Sequence, residues 1–503
     1  MNASQPADIT FLLEGTYPYV AGGVSSWVHQ IIRGVPEFTF ALVFLGSRRA
    51  DYGERKYTLP DNVVHLEDHY LYDGNEQPQV RPLQGDKTLF QLVEKLHEQF
   101  KLEHAGADMN ATVGPLANEL GHGLKLDDFL YSRRAWNFIR QQFRTYSTDP
   151  SFVDYFWSVR TMHRPIWRLA AIRDRLPPTR VFHTVSTGYA GFLGALAKSR
   201  YQRPLILSEH GIYTKERKID LMSAEWIADN RSAFQRDATQ TSYLRDLWIR
   251  FFEALGRTCY EAADEITALY EVNRQRQIAD GADPARTQNI PNGVDISRLS
   301  PLRALRPEET PPVLCLIGRV VPIKDVKTFI RAMRIVVNRL PCAEGWVAGP
   351  SEEDPGYAAE CRDLVRLLGL EERVKFLGFQ NVVDLLPRIG LNVLSSISEA
   401  LPLVLLEGFA AGVPTVCTNV GSCRQLVEGL DEDDRALGHA GRVVGIADPQ
   451  ALADAATALL ADRSAWQAAA RAGIARVERY YTQSLMFERF RALYGRTITG
   501  GGR

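Results

Sequence analysis

Two short stretches in the second half of the chain carry side chains that belong together chemically. Gly318-Arg319-Val320-Val321-Pro322-Ile323-Lys324 supplies two cations, and Ser398-Glu399-Ala400-Leu401-Pro402-Leu403-Val404-Leu405-Leu406-Glu407-Gly408 follows at the distance of roughly one βαβα unit. Pro402 presets φ for the first turn of a helix, which leaves Glu399 in the loop before it and Glu407 inside it. The free amides of Leu403 and Val404 then face outward from the helix start. A helix N-terminus favours an anion, and Arg319 with Lys324 can meet the same anion from another strand end. Two carboxylates, two cations and a helix start point to a phosphorylated sugar as the ligand.

The elements that must position these groups follow an alternating pattern. Ile9 to Leu13 is a short apolar run ending at Gly15, followed by Gly22-Gly23 and then Val24, Trp27, Val28, Ile31 and Ile32 at helical spacing. Apolar runs return at Phe38 to Leu45, Val181 to Val185, Pro204 to Leu207 and Glu265 to Leu269, so a parallel sheet covered on both faces is expected. Residues 66–180 break the rhythm with a mostly helical, aromatic-rich pattern and are read as an insertion. Pro291-Asn292-Gly293-Val294-Asp295 to Pro312 is turn-rich and is the best hinge candidate. Beyond it, strand-like runs at Val313 to Ile317, Gly345 to Ala348, Val374 to Leu377, Leu391 to Leu394 and Thr415 to Cys417 imply a second α/β domain. Helices are expected near Asp325 to Leu340 and at Gln450 to Leu460, Ser464 to Tyr480 and Ser484 to Tyr494, and Thr497 to Arg503 as a loose tail.

With 503 residues, 45% hydrophobic and 24% charged, the chain needs more than one core. The formal charge of −1 argues against nucleic acid as a partner. Six cysteines without CxxC or zinc-like spacing read as reduced core thiols of a cytoplasmic protein, and no metal site is expected. Met1 to Asp8 lacks a basic start and an apolar core, so no secretion signal is expected. The longest apolar run, Leu401 to Cys417, is broken by Glu407, Gly408 and Pro414, so any membrane attachment is expected through a partner.

The Gly-Arg-x4-Lys and Glu-x7-Glu patterns resemble those of the retaining GT-B glycosyltransferases of family 4. Asp264-Glu265-Ile266-Thr267-Ala268-Leu269-Tyr270 leading to Pro291-Asn292-Gly293-Val294-Asp295 is similar to that family's last N-domain strand and hinge. A narrower similarity, to the cytosolic glycosyltransferases of Pel exopolysaccharide systems, rests on Leu13-Glu14-Gly15-Thr16-Tyr17-Pro18-Tyr19-Val20, Gly22 to Trp27 and Glu209 to Arg217. The resemblance implies two Rossmann-like domains facing a cleft: residues 1–300 on the acceptor side, 301–480 binding the nucleotide sugar, and 481–503 packing back toward the first domain. It also implies transfer of a hexose or N-acetylhexosamine from a UDP-sugar to a growing exopolysaccharide, without a metal or other cofactor. Inner-membrane polysaccharide synthase proteins are the partners it implies.

By position, Arg319 and Lys324 correspond to the residues that hold the departing diphosphate, where fixed cations lower the barrier without reorganisation. Glu407 corresponds to the ribose ligand, and Glu399, with His210, to the catalytic pair at the donor sugar. Ala400 stands where the family commonly has glycine. His210 follows an apolar strand at the end where open α/β sheets bind ligands, and a buried structural histidine would fit the same place. Gly22 and Gly23 either let the backbone approach the phosphates or form a plain tight turn. Tyr213, Lys215, Glu216, Arg217 and Lys218 read as a polar loop, bordering an acceptor or simply solvated. Asp431 to Asp434 reads as a solvated acidic loop, and Val159 to Ile172 as a basic amphipathic helix that is either scaffold or docking surface. A sugar phosphorylase and a nucleotide-sugar-binding scaffold without catalysis are the rival functions.

Overall fold

The computed structural model describes residues 6–73, 83–100, 109–232 and 240–500; parts of the chain start, of the expected insertion and of the expected tail lie outside these. Two compact units emerge. The first comprises residues up to Ala268, then Asn273–Asn289 and Phe490–Arg503, and the second Leu269–Val272 with Ile290–Arg489.

In the first unit, β1 (Ala7–Glu14), β2 (Phe40–Gly46), β3 (Val63–Tyr70), β4 (Thr179–Thr184), β5 (Leu205–Glu209), β6 (Glu265–Ala268) and β7 (Thr287–Asn289) form one sheet. Their order is β3-β2-β1-β4-β5-β6-β7, and every neighbouring pair is parallel. The chain therefore turns back at β1, opening a crevice between the ends of β1 and β4. Phe11, Leu12 and Leu13 are wholly buried, as expected of a parallel strand covered on both faces. Helices Arg133–Tyr146, Phe152–Arg173 and Tyr243–Ala262 extend the same core through Phe138, Tyr155, Met162, Phe251 and Tyr260.

The second unit repeats the plan with β8 (Val313–Ile317), β9 (Glu344–Ala348), β10 (Val374–Gly378), β11 (Leu391–Leu394), β12 (Thr415–Thr418) and β13 (Gly441–Val444), ordered β10-β9-β8-β11-β12-β13 and parallel throughout. Its switch point lies between β8 and β11.

Four expectations need correction. Leu66 to Tyr70 belong to β3 and not to a helical insertion; Glu67, Asp68 and His69 mask the strand because it is a partly exposed edge. Tyr213 to Lys218 are not a loop but the start of helix Tyr213–Ser223. Thr497 is not in a loose tail: helix Gln483–Gly500 runs through it, its hydroxyl donates to the Leu493 carbonyl at 2.7 Å, and it is buried. The Asp431 to Asp434 run caps and forms a short helix, Glu432–Arg435, in which Asp434 is buried against Arg476 rather than solvated.

Candidate active site

The C-terminal ends of β8, β9, β11 and β12 converge in the second unit. After β8 the chain passes Gly318 and Arg319, makes a short turn at Pro322–Lys324, and enters helix Val326–Arg339 through Asp325 in the left-handed region at φ 43°. The exits of β8 and β9 pass so close that a Cβ on Gly349 would sit 1.9 Å from the Gly318 carbonyl oxygen, so only glycine fits there. Ser395, just beyond β11, donates its hydroxyl to the carbonyls of Lys324 and Asp325, each at 2.9 Å, and the Ile397 amide donates to the Ile323 carbonyl at 2.9 Å. These bonds fasten the β8 loop to the β11 loop.

The consequence is an ion pair. Lys324 Nζ lies 2.5 Å from Glu399 Oε1, which also accepts the Ser396 hydroxyl at 2.6 Å. Arg319 is held differently: both carboxylate oxygens of Glu353 lie 2.6 Å from its Nη1, and both side chains are about half exposed, at 53%. The two cations are thus each engaged by a separate carboxylate.

Helix Leu403–Ala410 begins directly after Pro402, whose φ is −74°. The Leu403 and Val404 amides lie in its first turn, where the helix supplies no acceptor of its own. Glu407 is half-buried on this helix; burial raises its carboxyl pKa, Arg298 works against that rise, and no described residue hydrogen-bonds the carboxylate. From β12, Gly421 at φ 52° packs onto the Glu399 loop, where a Cβ would meet the Glu399 carbonyl oxygen at 2.2 Å. The Ser422 amide bonds the Ala400 carbonyl at 2.9 Å.

In the first unit, His210 follows β5 and is buried, with the Trp27 ring 4.6 Å away. Neither ring nitrogen makes a hydrogen bond of ordinary geometry to a described residue. Burial pushes its pKa down to about 4, the Ser208 backbone pulling weakly the other way. Glu209 anchors the segment: its carboxylate accepts from Tyr260 at 2.7 Å, the Tyr213 amide at 3.0 Å, Gln277 at 3.1 Å and Thr187 at 3.3 Å. Gly22 and Gly23 are exposed, and a Cβ at either would meet nothing within 4 Å. Gly22 has φ 171°, so neither strain nor packing within this unit requires glycine there, and the backbone stays open to approach.

A cavity of about 690 Å³ opens beside these residues at the ends of β1, β2 and β4, lined among others by Glu14, Tyr72, His210, Tyr213, Arg217 and Trp248. Glu14 accepts from Tyr213 Oη and the Ala190 amide, each at 3.1 Å. Sequence reasoning gave no role to Glu353, Ser395, Ser396, Glu14 and Glu209. Glu14 and Glu209 stood at the ends of recognisable strands, a usable signal; Glu353 had none. Among the described residues, no group of three or more His, Cys, Asp or Glu side chains is placed to hold a metal ion.

Solved structures share this architecture. Anabaena Alr3699/HepE, solved in complex with UDP and glucose, aligns over 97% of this chain and 99% of its own with a TM-score of 0.55 at 16% identity. Sucrose-phosphate synthase from Thermosynechococcus elongatus aligns over 98% and 100% with a TM-score of 0.56 at 17% identity. The fold is that of the GT-B glycosyltransferases. Within that class, residues 7–285 match the family described as domain of unknown function (DUF3492), to which the chain belongs, and residues 311–462 match glycosyl transferases group 1.

Curated relatives include the lipopolysaccharide core biosynthesis mannosyltransferase LpsB of Rhizobium meliloti (strain 1021), 29% identical over 41% of this chain and 60% of its own length. The D-inositol 3-phosphate glycosyltransferase 2 of Catenulispora acidiphila is 28% identical over 62% and 72%. The chain thus spans between three-fifths and three-quarters of these two relatives. These relatives and the matched group 1 family are glycosyltransferases.

Proposed function

We propose that the chain is a retaining glycosyltransferase that moves a hexose or N-acetylhexosamine from a UDP-sugar to a growing exopolysaccharide, the role that PelF has in Pel systems. The observation that carries the reading is the Lys324–Glu399 pair, pinned by Ser395 and Ser396 at the switch point of the second sheet beside the first turn of helix Leu403–Ala410. That arrangement supports a diphosphate at Arg319, Lys324 and the Leu403 and Val404 amides, with the sugar at Glu399 and the ribose hydroxyls at Glu407. The UDP of the HepE complex supports uridine as the donor nucleoside.

The bond from the anomeric carbon to the phosphate oxygen breaks as the acceptor oxygen bonds to the same carbon from the same face, and the acceptor proton passes to the departing phosphate. Arg319 and Lys324 neutralise the charge that grows on UDP, a task needing no metal ion. His210, which burial keeps neutral at physiological pH, hydrogen-bonds the transferred sugar as the second catalytic residue. Gly22 and Gly23 give the diphosphate access to backbone amides. On this reading residues 1–300 serve the acceptor, 301–480 the donor, and 481–503 pack back toward the acceptor side, the part from Phe490 falling in the first unit. The protein, on this reading, works in the cytoplasm, with inner-membrane polysaccharide synthase proteins as its partners.

The test is calorimetric binding of UDP, GDP and ADP, then UDP-glucose, UDP-GlcNAc and UDP-GalNAc, each repeated with Arg319→Ala. Selective UDP binding that weakens strongly in the variant is expected. A folded protein that binds none of the nucleotides overturns the donor site.

A further inference from the structure

The two helices Arg133–Tyr146 and Phe152–Arg173 present adjoining outer faces with an unusual composition. At about 100° per residue, Arg133, Trp136, Arg140 and Arg144 fall within roughly 80° of one helix circumference, and all four are exposed. On the second helix, Val153 and Trp157 share a face with Arg160 and are 62% and 57% exposed, values that set them apart from core residues. Rings join the helices: Trp136 lies 5.5 Å from Phe152 and 5.7 Å from Phe156, and the Arg160 guanidinium lies over Phe156 and Trp157 at 5.1 and 5.7 Å.

The charge on this face is unbalanced. Helix Arg133–Tyr146 contains four arginines and no acidic residue. Arg133, Arg140 and Arg144 pair with no described carboxylate; Arg140 reaches only Asn137 Oδ1, at 3.4 Å. The one acid of helix Phe152–Arg173, Asp154, accepts from Asn230 at 2.9 Å. On the neighbouring helix Leu126–Tyr131, Asp128 is used by the Lys125 amide, and Asp149, in the turn joining the two helices, is buried and accepts from the Ser151 amide and Asn230, whereas Asp127 has no such role. Since the whole chain carries a formal charge of −1, the positive field is local to this face.

We propose that this face docks on a bilayer surface carrying anionic headgroups. Exposed tryptophans with an aliphatic neighbour suit the headgroup boundary, and arginines beside them suit the phosphates just above it. Among the described residues no helix is long and apolar enough to cross a membrane, so the contact is interfacial. An acidic protein would satisfy the arginines, but it would leave unexplained why Trp136, Val153 and Trp157 stand out from the surface together.

The experiment is sedimentation of the full chain with vesicles of phosphatidylcholine alone and with about a third phosphatidylglycerol, at low and high salt. Binding to the anionic vesicles alone, weakened by salt, is expected. Each arginine near such a surface contributes about a five-fold gain in partitioning, so Arg140→Ala with Arg144→Ala should lose roughly 30-fold. Trp157→Ser should weaken binding without abolishing its salt dependence. These side chains are exposed, and an unchanged thermal midpoint checks that the variants fold. Wild-type protein that ignores both vesicles, whether or not a membrane protein retains it, overturns the proposal. So does anionic-vesicle binding that the variants leave unchanged.

Discussion

Glu353 offers a sharp test of the proposed donor site because its carboxylate engages Arg319. Its two oxygens lie 2.6 Å from Arg319 Nη1, with both side chains at 53% exposure, so solvent screens the pair. Exposed pairs of this kind are worth about 0.2–1 kcal/mol, and a diphosphate arriving at Arg319 must displace Glu353. It also meets the glutamate charge itself: two unit charges about 7 Å apart in water repel by roughly 0.6 kcal/mol before salt screening. Glu353→Gln removes both penalties while keeping the side-chain shape. UDP should bind about 3- to 10-fold more tightly by calorimetry at low salt. The gain should shrink as salt rises and should be absent for uridine, which has no phosphate. In an Arg319→Ala background the pair no longer exists, and only the charge repulsion, about a two- to three-fold gain at low salt, should remain. Weaker UDP binding in Glu353→Gln, or an equal gain without Arg319, would refute the reasoning.

Two further predictions concern buried charge. Burial pushes His163, His183 and His210 down to about 4, 3 and 4, whereas in the unfolded chain they titrate near 6.5. Because the folded pKa values are depressed, the unfolded state gains protons that the folded state refuses; this contribution is fully present above about pH 6.5 and is lost as pH falls. Each histidine should cost about 2 kcal/mol at pH 5. Hydrogen exchange through β1, β4 and β5 should therefore accelerate from pH 7 to 5 after correction for intrinsic rates, while β8 and β11 change little, since the second unit's one histidine, His439, is exposed. Equal acceleration in both units would count against this. Asp434→Ala strands the fully buried Arg476 guanidinium and should cost about 3–5 kcal/mol in urea unfolding of the second unit, with Arg476→Met in addition restoring part of it. A loss below about 1 kcal/mol would mean that the Leu426, Val427 and Gly438 carbonyls satisfy the arginine by themselves.

Strands buried on both faces were legible because they appear as mostly apolar runs: β1, β2, β5 and β8 are such runs, and β4 and β11 are shorter ones that include His183 and Asn392. β3, β7 and β13 were not. They are edge or short strands whose half-buried or exposed positions carry Glu67, Gln288 and Arg442, so their composition resembles loop. The same limit explains Asp434: four acidic residues in a row look solvated until Arg476, forty-two residues away, comes to lie against one of them. The Tyr213 helix was hidden for a related reason, since its start is crowded with charged residues, of which Lys215 and Lys218 are exposed, and its anchor, Glu209, lies before its start. In the candidate site, Glu399, Glu407, Arg319 and Lys324 were legible through spacing. Their pairing was not, because Glu353 and Ser396 have no motif of their own.

That pairing separates two cations that spacing alone makes look equivalent. Lys324 is three-quarters buried and meets a carboxylate that Ser396 also holds, while the Ser395 hydroxyl fixes the backbone behind it. Moving it would break several bonds at once, so Lys324 behaves as a preorganised charge with its partner already beside the sugar position. Arg319 has only an exposed glutamate to hold it, and releasing that contact costs little. On the proposed reading, the lysine sets where the phosphates lie before donor arrives, and the arginine closes onto them afterwards by exchanging Glu353 for a phosphate oxygen. Substituting Lys324 should then disturb Glu399, and with it the sugar, whereas substituting Arg319 should weaken the nucleotide and leave the sugar preference intact.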